Sequence, residues 1–361
     1  MVLGFAGISL CYLAALFGAG VLLTDLPTQV RLIGSVEPGW LALGWLLQLA
    51  TLPVLGMRWL QLMRPSAPVQ LSLGESASLQ LLVMGLNIIL PGPGGDLTVS
   101  FIVRKTRGVP VSLSLAASIY ARFAGLTMAV VLALLCIPSL PDRILPAGLL
   151  GGLINGALVL ALAVAMLLLF SLYPRLLGRL AGWLNAWSRR WRSRGRVRVS
   201  SMSRALGGFI ELLGWCLYAT VTRGRSAVGI ALLWSCANYL LLAGTAFCVA
   251  AALGVDFSPG AALFLVTIGA LMSLVTILMP LGGLAEEAVV FGLLGKLTGA
   301  TAGVAVTYLL LFFSIRAFLL LLSVLVTLHM VRQARAEMGG GLPARRLEEI
   351  LERLRPEPPE A

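Results

Sequence analysis

Six stretches of the chain stay apolar over roughly the thickness of a bilayer: about 3–23, 39–57, 111–137, 147–172, 226–253 and 303–328. Each approaches or exceeds the ~20 residues that a helix needs to cross the hydrocarbon core. The alternating ten-residue segments of a membrane β-barrel do not occur in the pattern. Two further apolar stretches are interrupted. The first, 76–103, contains Asn87-Ile88-Ile89-Leu90-Pro91-Gly92-Pro93-Gly94-Gly95-Asp96, and the second, 261–300, contains Met279-Pro280-Leu281-Gly282-Gly283-Leu284-Ala285-Glu286-Glu287. Proline lacks the donor that continues a helix and clashes with the preceding turn, and paired glycines free the backbone to reverse. Each stretch is therefore predicted to be a re-entrant hairpin of two half-helices. The fold class is an all-α polytopic membrane protein, with about six full spans and two re-entrant hairpins.

Charge placement orients the spans. The segment 173–204 holds nine arginines and no acid, and the tail beyond 328 begins with Arg332 and Arg335. The connections 24–38 and 138–146 carry Asp25, Glu37 and Asp142 against Arg31 and Arg143. Positive residues stay on the cytoplasmic side, so 173–204 and both termini are predicted to be cytoplasmic and the two acidic connections external. Arg58 and Arg64 before the first hairpin, with Arg104, Lys105 and Arg107 after it, place its ends in the cytoplasm. The ends of the second fall outside.

Span, span, hairpin, span over 1–137 is then repeated over 138–328, and the two hairpins enter from opposite faces. The second repeat begins with the span in 138–172 and resumes over 226–328 after a basic cytoplasmic and interfacial segment, 173–225. Inverted repeats with broken helices are the build of secondary transporters. Within 173–225, the stretch 205–222 is apolar but carries Glu211. It is expected to be an interfacial helix, and a full crossing there would make the halves parallel instead.

Ionisable residues at membrane depth are costly and mark a cavity or a partner. Here they are Asp96, Glu286, Glu287, Arg122 and Arg316, and each arginine follows its hairpin's proline, Pro91 or Pro280, by some thirty-odd residues. Two readings stay open. The arginines and hairpin acids form salt bridges that lock the fold, or they line a cationic pocket for an anionic headgroup, which an arginine fork suits. The backbone after Gly94-Gly95 and Gly282-Gly283 begins a returning half-helix whose N–H groups attract an anion, while the acids there also favour a helix start. Asn87, one turn before Pro91, is expected to satisfy carbonyls freed by the break.

Composition adds exclusions. With 59% hydrophobic and 12% charged residues, a soluble globular fold is ruled out. The five cysteines lie singly in apolar runs and the one histidine, His329, ends the last run. No metal site, cofactor, disulfide frame or histidine- or cysteine-based catalysis is expected. Residues 179–204 interleave arginine with Trp183, Trp187 and Trp191, which reads as a surface helix on anionic lipid rather than nucleic-acid binding. Gly152 and Gly156 have a helix-packing spacing, expected to act within the chain, with a homodimer as the alternative. The tail 329–361 carries a short amphipathic stripe of Leu347, Ile350, Leu351 and Leu354. The N-terminal run lacks the positive region of a signal peptide and is expected to be a retained span.

The pairing of Asn87…Leu90-Pro91-Gly92…Gly95-Asp96 with Pro280…Gly282-Gly283-Leu284…Glu287 resembles the lysylphosphatidylglycerol synthase transmembrane-region family of flippase-like bacterial and archaeal membrane proteins. The resemblance covers most of residues 1–330. Asp96 stands where the family usually has glutamate, Ser100 roughly where it has arginine, and Ala121 where glutamate precedes the mid-span arginine. Gly283-Leu284-Ala285 lacks a further usual glycine. The bifunctional members' soluble domain, which transfers lysine from tRNA to phosphatidylglycerol, is not expected here. The resemblance implies a bacterial inner-membrane lipid flippase or transporter for an anionic, glycosylated, polyprenyl or hopanoid-type lipid. The alternatives are a membrane-embedded enzyme that modifies a lipid headgroup and a small-solute or ion transporter.

Overall fold

A computed structural model describes residues 26–65, 71–89, 94–140, 147–179, 182–183, 186, 199–276 and 292–337. Among these residues there is no strand. In chain order the helices are α1 (Leu26–Gly34), α2 (Pro38–Met63), α3 (Leu73–Ile89), α4 (Gly94–Arg107), α5 (Val111–Cys136), α6 (Ala147–Leu172), α7 (Val199–Arg223), α8 (Arg225–Ala252), α9 (Pro259–Thr276), α10 (Gly292–Thr298) and α11 (Ala302–Glu337).

Four stretches are long and apolar enough to cross a membrane: α2, α5 with its 3-10 extension to Ser139, Ile154–Leu172 of α6, and α8. A fifth candidate is α10 with the start of α11, bent by 119° between them. These helices account for the expected spans from 39–57 to 303–328, while the run 3–23 lies outside the described residues. The segment 205–222 belongs to the longer helix α7, whose Cys216, Leu217 and Ala219 are buried against α5 and α6. Its inner end is thus part of the protein core rather than only a surface element.

The α2–α8 pair is the axis of the molecule. The two helices run antiparallel: the Glu37 N–H donates to the Ala252 carbonyl at 2.9 Å, and at the other end Pro65 abuts Gly224. Short α3 and α4 form a hairpin beside the Pro65 end. At its mouth Ser72 and Glu75 cap each other, Ser72 N–H to Glu75 Oε2 at 2.8 Å and Glu75 N–H to Ser72 Oγ at 3.2 Å, the reciprocal pattern of a capping box. Arg107, the last residue of α4, ion-pairs with Glu75 and joins the two legs. The 17- and 14-residue legs reach about 25 and 21 Å, short of the ~30 Å hydrocarbon thickness. Tip geometry depends on Gly95. A Cβ there would lie 2.5 Å from Asn87 Oδ1 and 2.7 Å from the Val83 carbonyl oxygen, so only glycine lets the legs approach this closely.

Helix α9 starts at the other end of the axis, with the Ser258 hydroxyl accepting the Ala261 N–H at 3.2 Å. Residues 277–291 lie outside the described residues, so the turn of the hairpin expected over 261–300 is not described. Its two legs share one core, in which Phe264, Leu265 and Ile268 of α9 cluster with Leu293 and Leu294 of α10. Both returning legs end alike: Gly108 after α4 has φ 69° and Gly299 after α10 has φ 66°. That left-handed backbone suits glycine and turns the chain into α5 in one case and α11 in the other.

Four apolar clusters form among the described residues, two of them large. The first joins Trp59, Met63, Leu79, Val103, Leu113 and Cys216, and the second joins Ala133, Val249, Phe264, Leu265, Leu294 and Tyr308. Each hairpin is seated in its own core, at opposite ends of α5 and α8. Among the described residues a Cβ at Gly156 would meet nothing within 4 Å, and Gly152 lies outside those whose surroundings are described.

Gly95→Ala should lower stability by about 1–3 kcal/mol, because the added methyl overpacks against backbone. Gly74→Ala, where nothing lies within 4 Å of the new Cβ, should leave it nearly unchanged. Thermal unfolding in detergent compares the two.

Candidate functional site

A small group of polar and charged side chains interrupts this apolar packing. Asp96 lies in the first turn of α4, where a carboxylate favours the exposed N–H groups of the helix start. Arg122 projects from the middle of α5. Its Nε donates to Asp96 Oδ2 at 3.0 Å, and Nη2 donates to the same oxygen. The pair is lopsided: the Asp96 side chain is 8% exposed and that of Arg122 34%. Guanidinium carries five N–H donors, and these two bonds use two of them.

Asn87 has a different role from the one expected. Its side-chain oxygen accepts the Gly95 N–H at 3.0 Å, so it satisfies a donor of the returning helix rather than a carbonyl left by the break. Gly94 opens α4, and its carbonyl accepts the Thr98 hydroxyl at 2.8 Å. One turn on, the Ser100 hydroxyl bonds both the Asp96 carbonyl and the Ser114 hydroxyl, tying α4 to α5 beneath the ion pair.

Arg58 was missed by the sequence reading, which ended the span at 57 and assigned this arginine to a cytoplasmic flank. Helix α2 continues to Met63, so Arg58 is inside it. Helical side chains lean toward the helix N-terminus, and this lean carries the guanidinium inward. Nη1 donates to Ser235 Oγ on α8 at 3.1 Å, while Nε is enclosed with no hydrogen-bond partner. Arg58 stands in the field of both Asp96, which attracts it, and Arg122, which repels it. The signal that could have located it is the apolar run Trp59-Leu60-Gln61-Leu62-Met63, more than a turn of helix beyond the arginine.

Gly125, nearly one turn after Arg122, lets the Arg58 guanidinium approach α5 closely. A Cβ placed there would be 3.2 Å from Arg58 Nη1 and 3.7 Å from the Tyr239 hydroxyl. Asn238, beside Tyr239 on α8, is 7% exposed, and its side-chain oxygen has no hydrogen-bond partner. α2, α4, α5 and α8 thus meet around two guanidiniums and one carboxylate.

Gly282, Gly283, Glu286 and Glu287 lie outside the described residues. The backbone of Arg316 is in α11 between buried Ile315 and Leu319; its side chain lies outside them. Trp183 is exposed, whereas Trp187, Trp191 and the stripe from Leu347 to Leu354 are not described. Among the described residues, no three His, Cys, Asp or Glu side chains group as a metal site would require.

Long apolar helices around a charged interior define a multi-pass helical membrane protein. The chain belongs to the lysylphosphatidylglycerol synthase transmembrane-region family, whose model matches residues 1–323. No curated protein matches the chain closely enough to count as a relative. Membership places it among membrane proteins concerned with lipid handling.

Removing one partner of the ion pair leaves a buried charge exposed to its own desolvation cost. Arg122→Leu should therefore cost about 1–3 kcal/mol, a range discounted for the partial exposure of Arg122. Adding Asp96→Asn to that variant should recover at least half of the loss, as read by thermal unfolding of the single and double variants in detergent.

Proposed function

We propose that this protein is a flippase that carries a lipid with an anionic headgroup across the bacterial inner membrane. The headgroup passes the Asp96–Arg122 pair while the acyl chains stay in hydrocarbon. The observation that carries this reading is the lopsided burial of that pair. A purely structural bridge gains nothing by keeping its cation one-third exposed at mid-helix. A transport site needs free donors facing the substrate and a carboxylate that holds the cation in place between turnovers.

The arrangement of the hairpins supports the same reading. Their mouths are at opposite ends of the α2–α8 axis, and both returning legs end on a left-handed glycine. We read this as an inverted repeat, with each hairpin re-entering from its own face and both termini in the cytoplasm. In such proteins the substrate site lies near the midplane, where broken helices meet. Glu286, Glu287 and Arg316 then serve as counterparts of Asp96 and Arg122, and the basic 179–204 segment rests on anionic lipid.

Two measurements test the proposal. In proteoliposomes containing fluorescently labelled phosphatidylglycerol, the protein should speed exposure of the label to an external quencher. Arg122→Gln should reduce the protein-dependent rate about tenfold or more, the equivalent of losing one charged contact in the rate-limiting state. Equal rates for wild type and empty vesicles across anionic lipids would end the flippase reading. For topology, Gly74→Cys and Asp256→Cys, each exposed at one hairpin mouth, should react with impermeant thiol reagents from opposite faces of the membrane in a background lacking native cysteines. Labelling of both from one face would contradict the inversion.

A further inference from the structure

We propose that two small apolar clusters, one between α3 and α11 and one between α9 and α5, are gates that open in alternation toward opposite faces of the membrane. The proposal rests on the flippase reading above and assigns its moving parts. The first cluster joins Leu52 of α2, Leu81 of α3 and Leu319 of α11, with Ala77, Met84 and Leu322 packed against them. The second joins Ala129 and Leu132 of α5 with Tyr239 of α8, and Leu263 and Val266 of α9 pack against it.

The two clusters use corresponding positions. By order in the chain, α2, α3 and α5 match α8, α9 and α11. Leu49 and Leu52 are the twelfth and fifteenth residues of α2, and Cys236 and Tyr239 are the twelfth and fifteenth of α8; all four belong to these clusters. Each cluster also sets the first leg of one hairpin against the last helix of the other half, α3 on α11 and α9 on α5. Where inverted halves rock as rigid bodies, the contacts that must part are those that cross between the halves. Parting α3 from α11 leaves the hairpin seated, because Leu79, Leu82 and Val103 stay packed with Trp59 and Leu113 of their own half.

Placement and chemistry fit the role. On α3, Leu81 lies between the hairpin mouth at Glu75 and the tip at Asn87, so the first cluster is on the mouth side of the charged site. On α5, Ala129 is about two turns beyond Arg122 toward the other end of the helix. The side chains that face each other between α3 and α11 carry no charge and no hydrogen-bond donor. Such a contact parts without breaking a hydrogen bond, and a hydrophobic constriction excludes water while it is shut. Both clusters are closed in this structure. The closure between α5 and α9 is the firmer, since these helices also meet in the large cluster through Ala133 and Phe264.

The test is labelling of the full-length protein by a charged, impermeant thiol reagent in right-side-out and inverted membrane vesicles. Native Cys236 reports the cluster between α5 and α9, and Leu49→Cys, at the matching position of α2, reports the other. Each is kept alone in a background lacking the remaining cysteines. Leu319→Ala loosens the closed state of the first gate. It should raise labelling of Leu49→Cys from the cytoplasmic face about fivefold or more, a modest population shift for loss of a buried leucine, while labelling of Cys236 from outside falls. Leu132→Ala should do the reverse. The milder Leu319→Val and Leu132→Val should give the same reciprocal pattern at smaller size, and they decide the outcome where an alanine variant unfolds. Reporters that rise together, or do not move, in either series overturn the gates. Leaflet exchange of labelled phosphatidylglycerol is the separate readout. Exchange by wild type without reciprocal labelling rejects the gates and keeps the flippase. Reciprocal labelling with no exchange of any anionic lipid by wild type keeps the gates and rejects the flippase.

Discussion

A helix that stops inside an apolar protein leaves backbone N–H groups with no partner, and in hydrocarbon no water replaces them. The break between α3 and α4 creates this problem, and much of the site follows from its solution. Asn87 folds back to accept the Gly95 N–H, and Gly95 has no side chain because Asn87 and the Val83 carbonyl occupy that space. Asp96 places a carboxylate at the start of α4, where the helix dipole favours it. That carboxylate is nearly fully enclosed and calls for a cation, which α5 supplies at Arg122. Each step is local chemistry, yet together they fix the hairpin tip against α5 and set the depth of the charged site.

The surrounding scaffold sets where this region falls. Its two large apolar clusters lie toward opposite ends of α5 and α8, each holding one hairpin, and the ion pair lies at the edge of the first, beside Val99, Ala121 and Ala124. On α5 the packing residues are small: Ala116, Ala117, Ala121, Ala124, Gly125, Ala129 and Ala133. Small residues let membrane helices approach closely where van der Waals packing, rather than exclusion of water, holds them together. The same stripe that brings α5 against its neighbours contains Gly125, where the Arg58 guanidinium comes close to the α5 backbone.

Much of this was legible in the sequence, for identifiable reasons. Span length and hydropathy set four of the long helices, and Pro91 with Gly94-Gly95 marked the hairpin tip because no continuous helix tolerates that combination. Asp96 and Arg122 stood out because charge at that depth is rare. Arg58 did not, because it sits close enough to a run of cytoplasmic basic residues to read as part of their flank. Sequence position gives the depth of a Cα, but an arginine places its charge several ångströms away, and only packing decides in which direction. The same limit applies to Asn87, whose residue type signals a helix break without saying whether its oxygen or its amide meets the backbone. The behaviour of α7 was also hidden. Its modest hydropathy and Glu211 point to an interface, while burial of Cys216, Leu217 and Ala219 depends on faces that α5 and α6 happen to leave open.

The lock and the pocket, two readings that the sequence left open for the mid-span arginines, differ in what they require of the ion pair. A lock is most stable when both partners are enclosed and every donor is satisfied, since desolvation is then repaid in full. Here the acid is enclosed and the base is not, and the nearby Arg58 adds a second cation with no second acid beside it among the described residues. Among the described residues two like charges share one counter-ion, an arrangement that is unfavourable at low dielectric. Evolution removes that cost easily, since leucine or glutamine at position 58 would do so. Its retention supports the pocket reading, in which an anion relieves the repulsion. Under the proposed flippase reading, Asp96 competes with the departing headgroup for Arg122, and that competition would distinguish a site for passage from a site for storage.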